Sequence, residues 1–255
     1  MIHFTDKYTN DKDQKLLLRK INDLITLSRK QYSVMYSPFL DPAQQTLLLS
    51  VEEFRGLLRM EGGYEDAERR ICRIQTDEYQ TEPPLPISLF TVSASMKEAV
   101  ISHRDVLGSL MGLGIRREMI GDILPNGNCP QFFCMEEIAA YIEMNLTKIG
   151  QYSVSLSRTE TAALYEPKYE PKTVNVSAMR LDCICAEAFG LSRTKAADAV
   201  RKGVVSVNWV LCTDTSHEVK SGDKISFRGK GKVEVGDVSG VSKKGRLFVE
   251  LRKKV

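Results

Sequence analysis

Residues 180–208 carry turn and capping residues at intervals that leave the backbone little choice. Arg180-Leu181-Asp182 opens a helix that runs to about Phe189, and Gly190 ends it. Ser192 is placed to cap a second helix through Lys202, which Gly203 closes. At about 100° per residue, Ala196, Ala197, Ala199 and Val200 share one side and pack inward. Lys195 and Lys202 fall on a separate, exposed stripe, and Thr194 and Arg201 on another. Val204 to Trp209 reads as a strand and turn. Ser221-Gly222-Asp223 is a turn into a strand over Lys224–Arg228, and Gly229-Lys230-Gly231-Lys232 is a basic turn. Leu247 to Leu251 alternates as a final strand.

The 255 residues suffice for one large or two to three small domains. Their composition excludes a collagen, a mostly disordered chain and a small disulfide scaffold. No stretch approaches the roughly 18 apolar residues of a membrane span. The first residues lack a basic-then-apolar leader, so a cytoplasmic protein without membrane contact is expected. The six cysteines include Cys183-x-Cys185 and Cys129-x4-Cys134, but the three histidines complete no zinc spacing. Reduced, mostly buried thiols are expected, with no metal and no cofactor.

Charge is uneven. Residues 176–255 hold 16 Lys/Arg and 9 Asp/Glu, a net +7, whereas residues 1–175 carry a net −4. A basic C-terminal third under a near-neutral total points to a polyanionic partner.

Two breaks divide the chain. Pro83-Pro84-Leu85-Pro86 stops any helix. Tyr165 to Lys172 writes Tyr-Glu-Pro-Lys twice and reads as a linker, or else as a short recognition strand. The expected organisation is an N-terminal domain over 1–82, a middle domain over 83–164, a linker over 165–174 and a C-terminal domain over 175–255. The class is α+β.

The N-terminal segment starts with a helix from about Asp11 to Arg29, and Asp41-Pro42 looks like a second helix start. Gly62-Gly63-Tyr64 is a turn, Glu65 to Arg70 an exposed helical turn, and Ile71 to Ile74 a strand. In the middle segment, strands are expected at Pro86–Val92, Gly121–Leu124, Gln131–Cys134 and Gln151–Leu156. Helices are expected after the Ser102 cap, at Arg116–Ile120 and at Glu136–Leu146. The N-terminal and middle segments thus mix both element types.

Catalytic signatures fail. His103-Arg104-Asp105 matches the start of a kinase catalytic loop, but the metal-binding and glycine-rich loops are missing. Gly112-Leu113-Gly114 lacks the third glycine of a dinucleotide site. Ser102, His103 and Asp105 instead organise a helix start. His103, Arg104, Arg116 and Arg117 form a candidate phosphate-contacting patch.

Arg180-Leu181-Asp182, Leu191-Ser192-Arg193, Gly203-Val204-Val205-Ser206-Val207-Asn208 and Gly222-Asp223-Lys224-Ile225 stand in the order of an RNA-binding module. They resemble the domain named after small-subunit ribosomal protein four, the S-four domain. Trp209 departs from the pattern, which has glycine there in many members. Upstream, Gly62 to Arg69, Ser102 to Gly108 and Leu113 to Ile123 are similar to the YlmH proteins. These are bacterial, lie in a cell-division gene neighbourhood and end in an S-four domain. The resemblance implies three small domains, the last with two helices packed on a small, mainly antiparallel sheet. It also implies RNA binding on the large ribosomal subunit or tRNA, and a non-catalytic role in rescuing stalled subunits that hold peptidyl-tRNA.

In such a domain the basic helix face meets structured RNA, where Lys and Arg neutralise phosphates. The candidate contacts are Arg180, Ser192, Arg193, Lys195, Arg201, Lys202 and Asn208, with Lys230 and Lys232 at the rim. Arg180 with Asp182 also reads as a structural ion pair, and Asn208 as a turn former. Two other functions fit less of the sequence. One is an RNA-modifying enzyme such as a pseudouridine synthase or methyltransferase, against which the short upstream region and the absent methyl-donor motif both count. The other is a cell-division scaffold. No coiled-coil heptads are present, and a monomer is expected.

Overall fold

Each of the first two helices begins at an aspartate that accepts from a backbone N–H. The computed structural model describes residues 4–77, 83–96, 98–126, 129–163 and 169–254. Asp11 accepts from the Gln14 N–H and caps α1 (Lys12–Gln31), which buries Leu18, Ile21 and Ile25. Strand β1 (Met35–Leu40) leads to Asp41, which forms a capping box with Gln44 at the start of α2 (Pro42–Ser50). Strands β2 (Leu58–Glu61) and β3 (Arg70–Ile74) complete an antiparallel sheet in the order β1-β3-β2.

Two features differ from the sequence reading. Strand β1 was hidden because Pro38 has no N–H to give and the register slips between Tyr36 and Phe39. The Ser37 hydroxyl instead accepts from the Cys72 N–H at 2.8 Å. Residues 65–69 form an irregular loop rather than a helical turn. The N–H groups of Glu68 and Arg69 point to the Asp122 carboxylate, at 2.7 and 3.0 Å, instead of closing helical bonds.

The chain continues through β4 (Ile87–Ala94), α3 (His103–Gly112), β5 (Ile120–Leu124), β6 (Gln131–Met135), α4 (Glu136–Asn145), β7 (Lys148–Ile149) and β8 (Tyr152–Thr159). Ser102 caps α3 in a box with Asp105, as expected. Between Gly114 and β5 only Arg117–Met119 turns, as a 3-10 helix, where a longer helical piece was expected. The sheet order is β5-β6-β4-β8-β7, all antiparallel. A β-α-β-β-α-β run with β4 and β6 central is the split βαβ, ferredoxin-like topology. Phe90, Phe132, Val106, Leu110, Ala139 and Ile142 share its core. That core also takes in Phe39 and Ile71, so the boundary expected at 82/83 falls inside one compact unit, Met1–Tyr165.

The second unit, Glu166–Val255, holds β9 (Tyr169–Val176), α5 (Leu181–Phe189), α6 (Arg193–Arg201), β10 (Val205–Val207), β11 (Val210–Leu211), β12 (Lys224–Phe227), β13 (Gly231–Val241) and β14 (Leu247–Lys254). Its antiparallel sheet runs β11-β10-β12-β13-β14-β9. Leu181, Ile184, Cys185, Ala196 and Val200 of the two helices share a core with Val205, Ile225, Val233, Val249 and Leu251 of the sheet. The second Tyr-Glu-Pro-Lys copy is therefore strand, not linker: Tyr169–Val176 pairs with β14, and residues 165–168 lie outside the described residues. Pro171 is compatible with a strand here because β9 is the sheet edge.

Candidate nucleic-acid interface

The start of α5 is organised by one carboxylate. Asp182 is 4% exposed. Arg180 donates from Nε to Asp182 Oδ1 at 3.1 Å and from Nη2 to Oδ2 at 3.2 Å. Arg193, at the start of α6, donates from Nε to Oδ2 at 3.0 Å, and the Cys183 N–H donates to Oδ1 at 2.9 Å. Burial alone would raise the pKa of Asp182, but the bonds from Arg180, Arg193 and Cys183 outweigh it and hold the carboxyl below its ordinary range. The helix-end N–H groups of Leu181 and Asp182 donate to the carbonyls of His217 and Thr215. Both guanidiniums remain reachable, with side-chain exposures of 39% and 58%. The ion-pair reading of Arg180 thus describes its geometry, and the pair also orients a second arginine. Guanidiniums held in this way are set in advance for the fork-like donation that phosphates accept.

Helix α6 continues the basic surface. The Ser192 hydroxyl accepts from the Lys195 N–H at 3.3 Å, which makes Ser192 the N-cap. Ala196, Ala197, Ala199 and Val200 are buried, as the periodicity required. Lys195, Arg201 and Lys202 are exposed. Arg201 donates to Asp198 Oδ1 at 3.1 Å, an exposed i,i+3 pair of the kind that contributes little to stability.

The remaining C-terminal candidates sit elsewhere. Asn208, at φ 48°, gives its side-chain amide to Asp223 Oδ1 at 2.8 Å and accepts from the Lys224 N–H at 2.9 Å. Both ends of its side chain are used inside the turn. Lys230 is exposed between Gly229 and Gly231, both at positive φ. Lys232 pairs across from Ser226 and precedes buried Val233, so it lies on the sheet face turned away from the helices. The structure therefore joins Arg180 to Arg193, sets Lys195 and Arg201 on the same helix as Arg193 with Lys202 at its C-cap, and separates Lys232 from them.

In the first unit the four candidates part company. His103 and Arg104 are exposed on the first turn of α3. Arg116 is exposed and pairs with Glu118 at 3.0 Å. Arg117 instead donates inward, to the carbonyls of Ile120 at 2.6 Å and Gly121 at 3.4 Å. Burial first, and then the neighbouring Arg69, push its guanidinium down to about 10, against the pull of Asp122. Arg69 is spent likewise, on the carbonyls of Ile120 and Phe39. The sequence reading missed the reason: Asp122 also accepts from the Tyr64 hydroxyl at 2.7 Å, which ties the Gly62–Arg69 loop to β5. Tyr64 stacks on Phe133, 5.6 Å between centroids, so that aromatic of the central strand is covered.

The six cysteines are thiols rather than disulfides, and burial pushes those of Cys72, Cys134 and Cys185 up to about 12. Among the described residues no group of three or more His, Cys, Asp or Glu could hold a metal ion. No helix among them is long and apolar enough to cross a membrane.

Comparison with known proteins finds RNA-binding families over both units. Residues 81–163 match the family described as "Putative RNA-binding domain in YlmH", and residues 179–225 match the S4 domain. The chain is 32% identical over 243 residues to the ribosome-associated protein quality control protein P2 of Bacillus subtilis (strain 168), covering 93% of this chain and 94% of that one. It also aligns with the solved structure of the cell division protein ylmH from Streptococcus pneumoniae. The TM-score is 0.50 at 24% identity, over 59% of this chain and 93% of that chain, a likeness of fold.

Proposed function

The chain belongs to the YlmH family, and from that premise we propose that it is a non-catalytic RNA-binding factor of the ribosome. It acts on the large subunit or its tRNA, in the rescue of stalled subunits that still carry peptidyl-tRNA. The observation that carries the reading is the Arg180–Asp182–Arg193 clamp beside exposed Lys195, Arg201 and Lys202. The clamp presents guanidiniums in fixed positions, and α6 with its C-cap adds the exposed positive charge of Lys195, Arg201 and Lys202. Phosphate neutralisation by such a surface releases counterions, so binding falls as salt rises. In the first unit, exposed His103 and Arg104 on α3 are the further candidates for phosphate contact. The protein works as a cytoplasmic monomer, without metal or cofactor.

Sedimentation of the tagged protein from lysate on a sucrose gradient tests the reading. It predicts comigration with the large subunit at low salt and release at high salt. A protein that stays at the top under both conditions contradicts it.

A further inference from the structure

The β10–β11 turn holds a tryptophan where the backbone favours glycine. Asn208 and Trp209 lie at φ 48° and 66°, so both central residues of this two-residue hairpin are left-handed. Such turns select Asn-Gly, because only glycine takes the second position without strain. A bulky ring there is an outlier. The ring is not among the side chains packed on the core of its unit, so core packing is not what holds it there. It is part-exposed, and Val210 and Leu211 beside it are 57% and 62% exposed. One face of the indole carries the Lys224 ammonium, 5.4 Å from the ring centroid. Strain kept at a part-exposed aromatic with a cation over it marks a functional position rather than a structural one.

We propose that Trp209 is a stacking platform for an unpaired nucleobase of the bound RNA. The base lies on the ring face opposite Lys224, whose charge serves the adjoining phosphate. This inference rests on the RNA-binding reading and adds a requirement that phosphate contacts do not impose. Duplex RNA buries its base faces, whereas a loop or bulge offers one.

The chain has a single tryptophan, so its emission reports on this position alone. The full chain is titrated with a hairpin RNA bearing an unpaired loop and with a blunt duplex of the same stem. Affinity is measured separately by filter retention. The hairpin is expected to quench the emission, and the duplex to bind without quenching. Trp209→Gly is expected to lose about fivefold or more in affinity for the hairpin and nothing for the duplex, with a melting temperature no lower than the parent's. Trp209→Phe keeps a ring and is expected to recover most of the hairpin affinity; a Phe variant as weak as the Gly variant overturns the proposal whatever the melting shows. Hairpin binding with unaltered emission and unaltered Trp209→Gly affinity overturns the stacking role and leaves the RNA-binding reading in place. Equal quenching by both RNAs overturns the claim for an unpaired base. Failure of the full chain to bind either RNA overturns both readings.

Discussion

Arg193 and Asp182 meet across the joint between two helices: the guanidinium Nε donates to Oδ2 at 3.0 Å while more than half of the arginine side chain stays exposed. One buried carboxylate thereby aims an outward cation. Asp182→Asn keeps the size and removes the charge. It is expected to cost about 1–3 kcal/mol, because the arginines and the Cys183 N–H lose a charged acceptor. A thermal melt checks this, and a fall of roughly 4–8 °C per kcal/mol is the scale for a unit of this size. An unchanged melting temperature would contradict the anchoring role.

The same carboxylate sets an acid dependence. Its bonds to Arg180, Arg193 and Cys183 overcome burial and lower its pKa in the folded state. A depressed carboxyl contributes stability above its unfolded value of about 3.9, and the contribution is lost as pH falls through the folded value. Denaturant melts of the parent are expected to weaken below about pH 5. Asp182→Asn should show a shallower acid decline, and parallel curves for the two proteins would refute the assignment.

Arg116 and Arg117 are adjacent in sequence and opposite in role. Arg117→Ala takes one of two arginine donors from the Ile120 carbonyl, which keeps Arg69, and removes the bond to the Gly121 carbonyl, and is expected to cost about 1–2 kcal/mol. Arg116→Ala removes an exposed pair with Glu118 and should change stability by less than about 1 kcal/mol. Chemical denaturation of the two variants separates the roles, and equal effects would contradict the geometry.

The loop over 62–69 depends on Asp122. Tyr64→Phe keeps the stack on Phe133 but removes the hydroxyl bond, and is expected to cost about 1 kcal/mol. Asp122→Ala also strips the acceptor from the Glu68 and Arg69 N–H groups, so its cost should be larger. A melt in which Asp122→Ala is the milder change would show that the loop is held otherwise.

What was legible in the sequence is what a residue decides within about three positions. Asp11, Asp41, Ser102 and Ser192 each accept from an N–H three residues on, and each marked a helix start correctly. Gly190 at φ 63° ended α5 for the same local reason. Residues 65–69 were misread because their acceptor, Asp122, lies 53 and 54 residues away. Strand β9 was misread because only the completed sheet shows that Pro171 stands at an edge. In the site, the exposed stripe of Lys195 and Lys202 and the separate one of Arg201 follow from helical periodicity. Arg117 could not be told from Arg116, because nothing local distinguishes an arginine aimed at carbonyls from one aimed at water. Asn208 fits the turn-forming reading, since its amide is engaged by Asp223 and Lys224.

The central claim is that Arg193 and Arg201 belong to an RNA-contacting surface. The most direct test is the salt dependence of binding to purified large subunits by the parent chain and by Arg193→Ala/Arg201→Ala. The account predicts weaker binding by the double variant at every salt concentration, and a log–log salt slope smaller in magnitude by about 1.5, as expected for two lost phosphate contacts. A folded double variant with the parent's affinity and slope would contradict it.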